Sequence, residues 1–451
     1  MKQSLYQQHF KGKKITVMGL GLLGRGVQVA EFLAKNGAIL TVTDMKDAQT
    51  LAPSLKKLAK YKIRYVLGKH ELKDFENVDM VVKAAGVPLD SQYIAHAKKS
   101  GVDVVMDASL FARLAPMVDI VGVTGTRGKS MTTTAIYHVL KSHEKSLGCK
   151  VYSGGNLRGQ ATLPLLAKVK TNDIVVLELD SWQCQGFGDE KISPTVAVFT
   201  SFMEDHLNYY GGSMKKYFAD KANIFKYQTS GDALVVRPDM KKWIKKTDVG
   251  SKYIVANKKS LDKVKLKVLG EHQVENLACA YEVAKLFGLK ESAIKKSLAE
   301  FKGLEGRMEF LREVRGVKIY NDNNATTPQA TAVDLQSLQP QTSNLKPRVI
   351  LIAGGNDKNI PLDELVKAIK KHAKVVYLTP GNGTDRLVAE CQAKKVPVFL
   401  VRNLAHGVHE AVSVAKKGDT ILFSPAFSSF AQYNNEYERN DEFIRLVKKL
   451  K

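Results

Sequence analysis

Lys129 and Ser130 follow directly on the turn Gly125-Thr-Arg-Gly128, and that turn follows a β-branched run, Ile120–Val123. Strand, glycine turn, Lys-Ser and then a helical pattern reaching about Leu140 is the layout of a phosphate-binding loop. Gly125 and Gly128 allow backbone N–H groups to point inward at an anion, and a helix N-terminus adds partial positive charge. Thr126, Arg127 and Met131 complete the cradle, Lys129 is placed for the terminal phosphates, and the Ser130 hydroxyl for Mg²⁺. The spacing is a narrower variant, T-G-T-x-G-K-S, because Val123 stands where the common pattern has its first glycine. The bland alternative is a Gly/Thr-rich loop before an ordinary helix.

Two acidic segments belong with this loop. Asp173–Leu179 predicts a strand with Glu178 near its carboxyl end, and Thr195–Thr200 predicts another that runs into Glu204-Asp-His206. Ligands of parallel α/β sheets bind outside the carboxyl ends of the strands. Glu178 and His206 are therefore expected on the same edge as Lys129, able to hold a second metal or to place substrate, unless they merely cap strand ends. Lys221 sits on the apolar face of a predicted helix, Ser213–Tyr227, with Tyr217, Phe218, Ile224 and Phe225 three or four positions away. A lysine there must snorkel, pair or lose its charge.

The elements that position these residues form three α/β units. In the first, the strand Ile15–Met18, the turn Gly19-Leu-Gly21-Leu-Leu-Gly24 and a helix precede the strand Ile39–Thr43, which ends at Asp44. That is a dinucleotide-binding fingerprint, with the acid placed for a ribose hydroxyl. Further strands are expected at Val78–Gly86 and Val102–Met106. The second unit carries the phosphate loop and ends with a helix, Leu277–Phe287, that has Asn276 near its start. Gly303–Arg307 reads as a hinge. Beyond it, Val317–Tyr320 and four strands at Arg348–Ala353, Lys374–Leu378, Val396–Val401 and Thr420–Ser424 alternate with helical segments, giving a third doubly wound unit. Its ligand loops are expected at Gly354–Lys358 and Pro425–Phe430, and Gln339–Leu345 reads as an exposed linker. The expected domains are residues 1–114, 115–306 and 307–451.

Composition narrows the class. The four cysteines are far apart and form no Cys-x-x-Cys pair, which argues against a zinc site or disulfide framework and fits a reducing cytoplasm. No apolar run approaches the ~18 residues of a membrane span, and the N-terminus lacks a signal-peptide core. The net charge of +24 comes from lysines spread over the whole chain, so a general lysine bias is favoured over nucleic-acid binding.

Taken together, the segments Gly125–Ser130, Gly154-Gly-Asn156, Glu178-Leu-Asp-Ser-Trp-Gln183, Glu204-Asp-His206, Ala219-Asp-Lys221, Gly270–Asn276, Gly306-Arg307, Asn321-Asp322 with Ala325-Thr326, and Ser424-Pro-Ala resemble the Mur ligase family, in its glutamate-adding branch. The resemblance implies an N-terminal Rossmann-like domain binding a UDP-sugar, a central ATPase domain and a C-terminal Rossmann-like domain that closes on ATP and an amino acid. It implies an ATP-dependent, ADP-forming ligase, expected to be a monomer, that adds glutamate, expected as D-glutamate, to UDP-N-acetylmuramoyl-L-alanine for peptidoglycan synthesis. Two Mg²⁺ sites follow: one on Ser130 and Glu178, the other on His206 and a carbamylated Lys221. Asn276, Arg307 and Asp322 would bind ATP. Gly21, Leu22, Asp44, Gly86, Asn156, Asp180 and Ser181 would face the UDP-sugar peptide, as would His206. Thr326, Lys358, Ser429 and Phe430 would face the amino acid.

Some positions depart from the family pattern. Arg127 stands where Asn is usual, Asp180 where Ser is common, and Asn324 where a lysine is expected, which removes a cation near the amino-acid site. Rival readings are a poly-γ-glutamate or folylpolyglutamate type of ligase, an NAD-dependent dehydrogenase using Gly19–Asp44, and a basic nucleic-acid binder.

Overall fold

The computed structural model describes residues 5–450 except 23, 89, 158, 208, 269, 339–347, 430, 431 and 434. The expected linker Gln339–Leu345 and the candidate Phe430 thus lie outside, or largely outside, the described residues. The chain divides into two compact units, Met1–Lys263 with Glu275–Leu298, and Val264–Val274 with Ala299–Lys451.

The first unit holds two sheets. One contains β1 (Lys14–Met18), β2 (Ile39–Asp44), β3 (Ile63–Leu67), β4 (Met80–Lys83) and β5 (Asp103–Val105), in the order β3-β2-β1-β4-β5 and parallel throughout. The other contains β6 (Asp119–Thr124), β7 (Val151–Gly155), β8 (Ile174–Glu178), β9 (Val196–Phe199), β10 (Ala233–Val236) and β11 (Lys252–Val255), again parallel, in the order β11-β10-β9-β6-β8-β7. β8 and β9 are buried along their whole length, as continuous apolar runs in a doubly covered parallel sheet must be. β6 lies between them, so the chain leaves β6, β8 and β9 on one edge.

The second unit holds β12 (Glu309–Val314), β13 (Val317–Asn321), β14 (Val349–Gly354), β15 (Ala373–Thr379), β16 (Phe399–Leu400) and β17 (Thr420–Phe423), in the order β12-β13-β17-β14-β15-β16. Its strands are parallel apart from the antiparallel edge strand β12.

Two expected elements shift. The strand expected over Val396–Val401 shrinks to Phe399–Leu400, because the Val396 N–H closes back on Cys391 O and Pro397 has no N–H for a ladder. The helix expected from Leu277 begins six residues earlier, at Glu271, directly after Gly270 in left-handed conformation. Asn276, expected just before the helix, is therefore inside it.

The first sheet's glycine turn leads into α1 (Arg25–Lys35). Gly26 has no room for a side chain: a Cβ there would lie 2.3 Å from Leu20 O. Gly26→Ala should therefore lower stability by about 1–3 kcal/mol, the usual cost of forcing atoms into a packed site. Denaturant unfolding checks this, and an unchanged midpoint would contradict it.

Candidate active site

The phosphate loop joins β6 to α2 (Lys129–Ser142). Gly128 sits at the helix start with φ +86, and no side chain caps the first turn, so its N–H groups are available to an anion. The loop is sewn to the segment after β9. Thr126 N donates to Ser201 O (2.8 Å), Arg127 N to Ser201 Oγ (2.9 Å), and Thr200 Oγ1 to Arg127 O (2.6 Å). Thr126 Oγ1 also lies 3.2 Å from Tyr217 OH. Asn276 stands over Gly128, where a Cβ would lie 2.6 Å from its Oδ1. Arg237, itself paired with Glu275, donates to the same Oδ1 at 3.4 Å. The sequence pattern puts Lys129 and Glu178 on one edge and the family resemblance adds Asn276, but nothing local marks Ser201, Tyr217 or Arg237; they matter only once β9 lies beside β6.

Lys129 Nζ donates to Gly125 O (2.9 Å) and Thr126 O (3.1 Å), so its ammonium lies along the loop. Ser130 and Met131 follow on α2, with Met131 buried. Glu178, at the carboxyl end of β8, is 4% exposed. Its Oε1 accepts from Asn156 Nδ2 at 3.3 Å, whereas its Oε2 is buried without a partner among the described residues. A buried carboxylate oxygen lacking a donor is costly, and a hard cation satisfies it. Ser130 and Glu178 thus fit Mg²⁺. Among the described residues no three His, Cys, Asp or Glu side chains converge on one point. A metal held here would draw the rest of its ligands from hydroxyl, phosphate and water oxygens. Asn156 is oriented in turn by Arg25, whose Nη1 donates to its Oδ1 at 2.8 Å.

Lys221, on α3 (Met214–Lys226), is 1% exposed. It does not snorkel. Its Nζ donates to Gly125 O at 2.9 Å and lies 5.0 Å from the centre of the Tyr217 ring. Burial, reinforced by the nearby Lys129 ammonium, pulls its pKa down to about 7. A substantial neutral fraction follows at ordinary pH. His206 occupies the left-handed region (φ +52), which is uncommon outside glycine, and its ring packs on Trp182 with centroids 4.9 Å apart. Arg127 reaches to 4.0 Å from Asp205. Asp180 is engaged as a helix cap: it accepts from Gln183 N at 2.8 Å, while Gln183 Oε1 accepts from Asp180 N. Ser181 beside it is buried.

In the first sheet, Asp44 does not present a free carboxylate to a ribose. Its Oδ2 accepts from Leu20 N (2.8 Å) and Gly21 N (2.9 Å), and its Oδ1 from Lys46 N (2.9 Å). The acid fixes the glycine turn, whose Leu22 side chain is 52% exposed. A cavity of about 130 Å³ lies outside the ends of β1 and β4, lined by Gly19, Arg25, Gly26, Gly86, Asp107 and Gln183. This is the switch point of the sheet, where ligands enter.

In the second unit, Asp322 follows β13 and donates its N–H to Phe423 O at 2.7 Å. Asn356 and Ser428 exchange backbone hydrogen bonds of 3.0 Å, joining the loops after β14 and β17. Lys358 Nζ donates to Thr326 Oγ1 at 3.0 Å. A cation therefore stands at this loop although residue 324 is Asn. Ser429 is buried. Arg307 lies in the turn before β12, close enough to Asp322 to favour its anion.

No helix among the described residues is long and apolar enough to cross a membrane. Family models match three stretches: the MurD-like N-terminal domain of Mur ligases over residues 13–106, the Mur ligase middle domain over 123–260, and the Mur ligase glutamate ligase domain over 306–427. A UDP-N-acetylmuramoylalanine–D-glutamate ligase of Roseiflexus sp. (strain RS-1) is 32% identical, with 97% of this chain and 98% of that protein aligned. One of the same name from Borreliella burgdorferi (strain ZS7) is 32% identical, with 98% of each aligned. Among solved structures, the UDP-N-acetylmuramate-alanine ligase MurC of Thermotoga maritima superposes with a TM-score of 0.62 at 19% identity, covering 97% of this chain and 99% of that one. The MurF ligase of Thermotoga maritima in complex with ADP gives 0.55 at 18% identity, covering 100% and 99%.

Proposed function

The chain belongs to the Mur ligase family, and from that premise we propose that it joins D-glutamate to UDP-N-acetylmuramoyl-L-alanine at the expense of ATP. The observation that carries this reading is the phosphate loop beside the unpartnered oxygen of Glu178, in a chain aligned end to end with ligases of that name. The reaction belongs to peptidoglycan precursor synthesis in the cytoplasm.

The residues divide the work. Gly125–Ser130 hold the β- and γ-phosphates, and Lys129 turns from the loop carbonyls onto the transferring group. Asn276, Arg307 and Asp322 hold ATP. Gly21, Leu22 and Gly86 receive the UDP-sugar, with Asp44 keeping the Leu20–Gly21 turn in shape. Asn156 and His206 orient the terminal carboxylate of the sugar peptide. That carboxylate attacks the γ-phosphorus, the bond to the β–γ bridging oxygen breaks, and ADP leaves. Thr326, Lys358 and Ser429 hold glutamate while its deprotonated amine attacks the acyl carbon. The amide C–N bond forms and inorganic phosphate departs. Mg²⁺, when bound through Ser130 and Glu178, offsets negative charge on the phosphates. A second ion is assigned to His206 and to Lys221 as its carbamate, which forms when the neutral amine adds CO₂ and releases a proton. Exclusion of water protects the acyl phosphate.

The isotopic test uses nucleotide-sugar substrate labelled with ¹⁸O in its terminal carboxylate. Label is expected in the phosphate released with D-glutamate; unlabelled phosphate would overturn the acyl-phosphate route. Glu178→Gln should raise the Mg²⁺ needed for half-maximal turnover by about tenfold or more, and should weaken Mn²⁺ binding measured by electron paramagnetic resonance in parallel. An unchanged metal requirement would remove Glu178 from the site.

A further inference from the structure

One amide in this site has to serve two carboxylates. Asn156 follows β7, and its backbone N–H donates to Glu178 O at 2.7 Å. The two strands can come so close because Gly155 has no side chain: a Cβ there would lie 2.1 Å from that same oxygen. The Asn156 side chain adds two bonds. Its Nδ2 donates to Glu178 Oε1 at 3.3 Å, and its Oδ1 accepts from Arg25 Nη1 at 2.8 Å. An amide nitrogen carries two hydrogens. One is used on Glu178, and the other has no partner among the described residues.

An asparagine amide can turn end for end with little change in shape. Turned, it would aim its oxygen at Glu178, acceptor against acceptor, and would offer a substrate carboxylate an acceptor as well. Arg25 forbids this, because a guanidinium has only donors and can face only the amide oxygen. Arg25 opens α1 and lines the cavity outside the ends of β1 and β4. It is partly buried, its side chain makes that one hydrogen bond, and it forms no ion pair among the described residues. A cation drawn from water without a counter-charge costs stability, so packing alone does not account for it. The chain beyond Asn156 is fastened without its help. Gln28 of α1 donates to Gly159 O and accepts from Ala161 N (3.1 Å), and Asp107 Oδ2 accepts from Thr162 N (2.9 Å).

We propose that Arg25 is a positioning residue for the ligase reaction: by holding the Asn156 amide oxygen it aims both Nδ2 hydrogens at carboxylates, one at Glu178 and the other at the terminal carboxylate of the sugar peptide. The proposal rests on the reading of Glu178 as a metal ligand and of Asn156 as a group that meets the substrate. It joins the nucleotide-sugar cavity to the metal carboxylate through one side chain.

Arg25→Leu removes the donors and keeps an apolar stem. The KM for the nucleotide sugar is expected to rise about tenfold, the size of effect that losing one hydrogen bond to a charged group produces. The KM for D-glutamate should stay within about twofold, and Arg25→Lys, which keeps a donor, should recover part of the loss. A cycle with Asn156→Ala decides whether Arg25 acts through the amide: in N156A, adding R25L should move the KM for the nucleotide sugar by less than about twofold. A second readout needs no turnover. Bound Mn²⁺, measured by electron paramagnetic resonance with a non-hydrolysable ATP analogue, should be held about tenfold more weakly by R25L than by wild type. An R25L effect of undiminished size in N156A overturns the positioning role and makes Arg25 a direct substrate contact. Equal Mn²⁺ affinity in R25L and wild type overturns the tie to Glu178, as does wild type that binds no Mn²⁺. If R25L does not fold, Arg25→Gln, whose own amide can present either end, takes its place in each comparison. Wild type that binds Mn²⁺ and the analogue yet releases no phosphate with nucleotide sugar and D-glutamate defeats the ligase reading and the substrate half of the proposal, and the Mn²⁺ comparison then judges the tie to Glu178 by itself.

Discussion

Lys129→Ala is expected to reduce phosphate release by about 10²–10³-fold, the usual effect of deleting one preorganised group that stabilises developing charge. The fold should survive. Lys129 is partly exposed, and the Gly125 carbonyl keeps its hydrogen bond from Lys221 when the ammonium is gone. Lys129→Arg restores charge but not fit, because a planar fork cannot replace a compact ammonium inside a tight loop, and should recover little of the rate. Steady-state kinetics with a parallel melting curve separates these outcomes. Near-normal turnover in K129A would mean that the loop between β6 and α2 is not where the γ-phosphate reacts.

The second large effect concerns Lys221. Its replacement by alanine should lower turnover by about 10²-fold or more, if its carbamate supplies charge to the reacting phosphates. A direct observation accompanies it. With ¹³C-labelled bicarbonate, wild type should show a carbamate resonance by NMR that K221A lacks. The pH dependence has a definite sign. The folded pKa is depressed from the usual lysine value to about 7, so the neutral amine that adds CO₂ shrinks as pH falls through that value. Carbamate signal and activity should fade together on acidification. Full activity in CO₂-depleted buffer with no resonance would show Lys221 acting as a plain buried amine, donating to Gly125 O as it does here.

Much of the site is legible in the amino-acid order because its chemistry is local. Lys129, Ser130 and His206 follow a strand and Glu178 ends one, and strands buried on both faces are continuous apolar runs. Lys221 betrays itself by aromatic neighbours at helical spacing. What the pattern cannot show depends on the third dimension. β3, β7, β11 and β12 are all sheet edges, where one side meets solvent and the apolar run breaks up; β10 is inside its sheet but only four residues long. Asp44 fits a ribose-binding spacing, yet its carboxylate is spent on the N–H groups of Leu20 and Gly21. Asn324 lacks the expected cation, and the charge at its loop is that of Lys358, a residue expected there in its own right, reaching Thr326 from 32 residues away.

The measurement that tests the central claim most directly is phosphate release from ATP with UDP-N-acetylmuramoyl-L-alanine, run side by side with D-glutamate, with L-glutamate and with no amino acid. Turnover that requires the nucleotide sugar and D-glutamate is the predicted result. Turnover with L-glutamate alone would contradict the stereochemical assignment and place specificity in the Asp322–Thr327 loop, and silence in all three arms from a folded, ATP-binding protein would contradict the ligase reading itself.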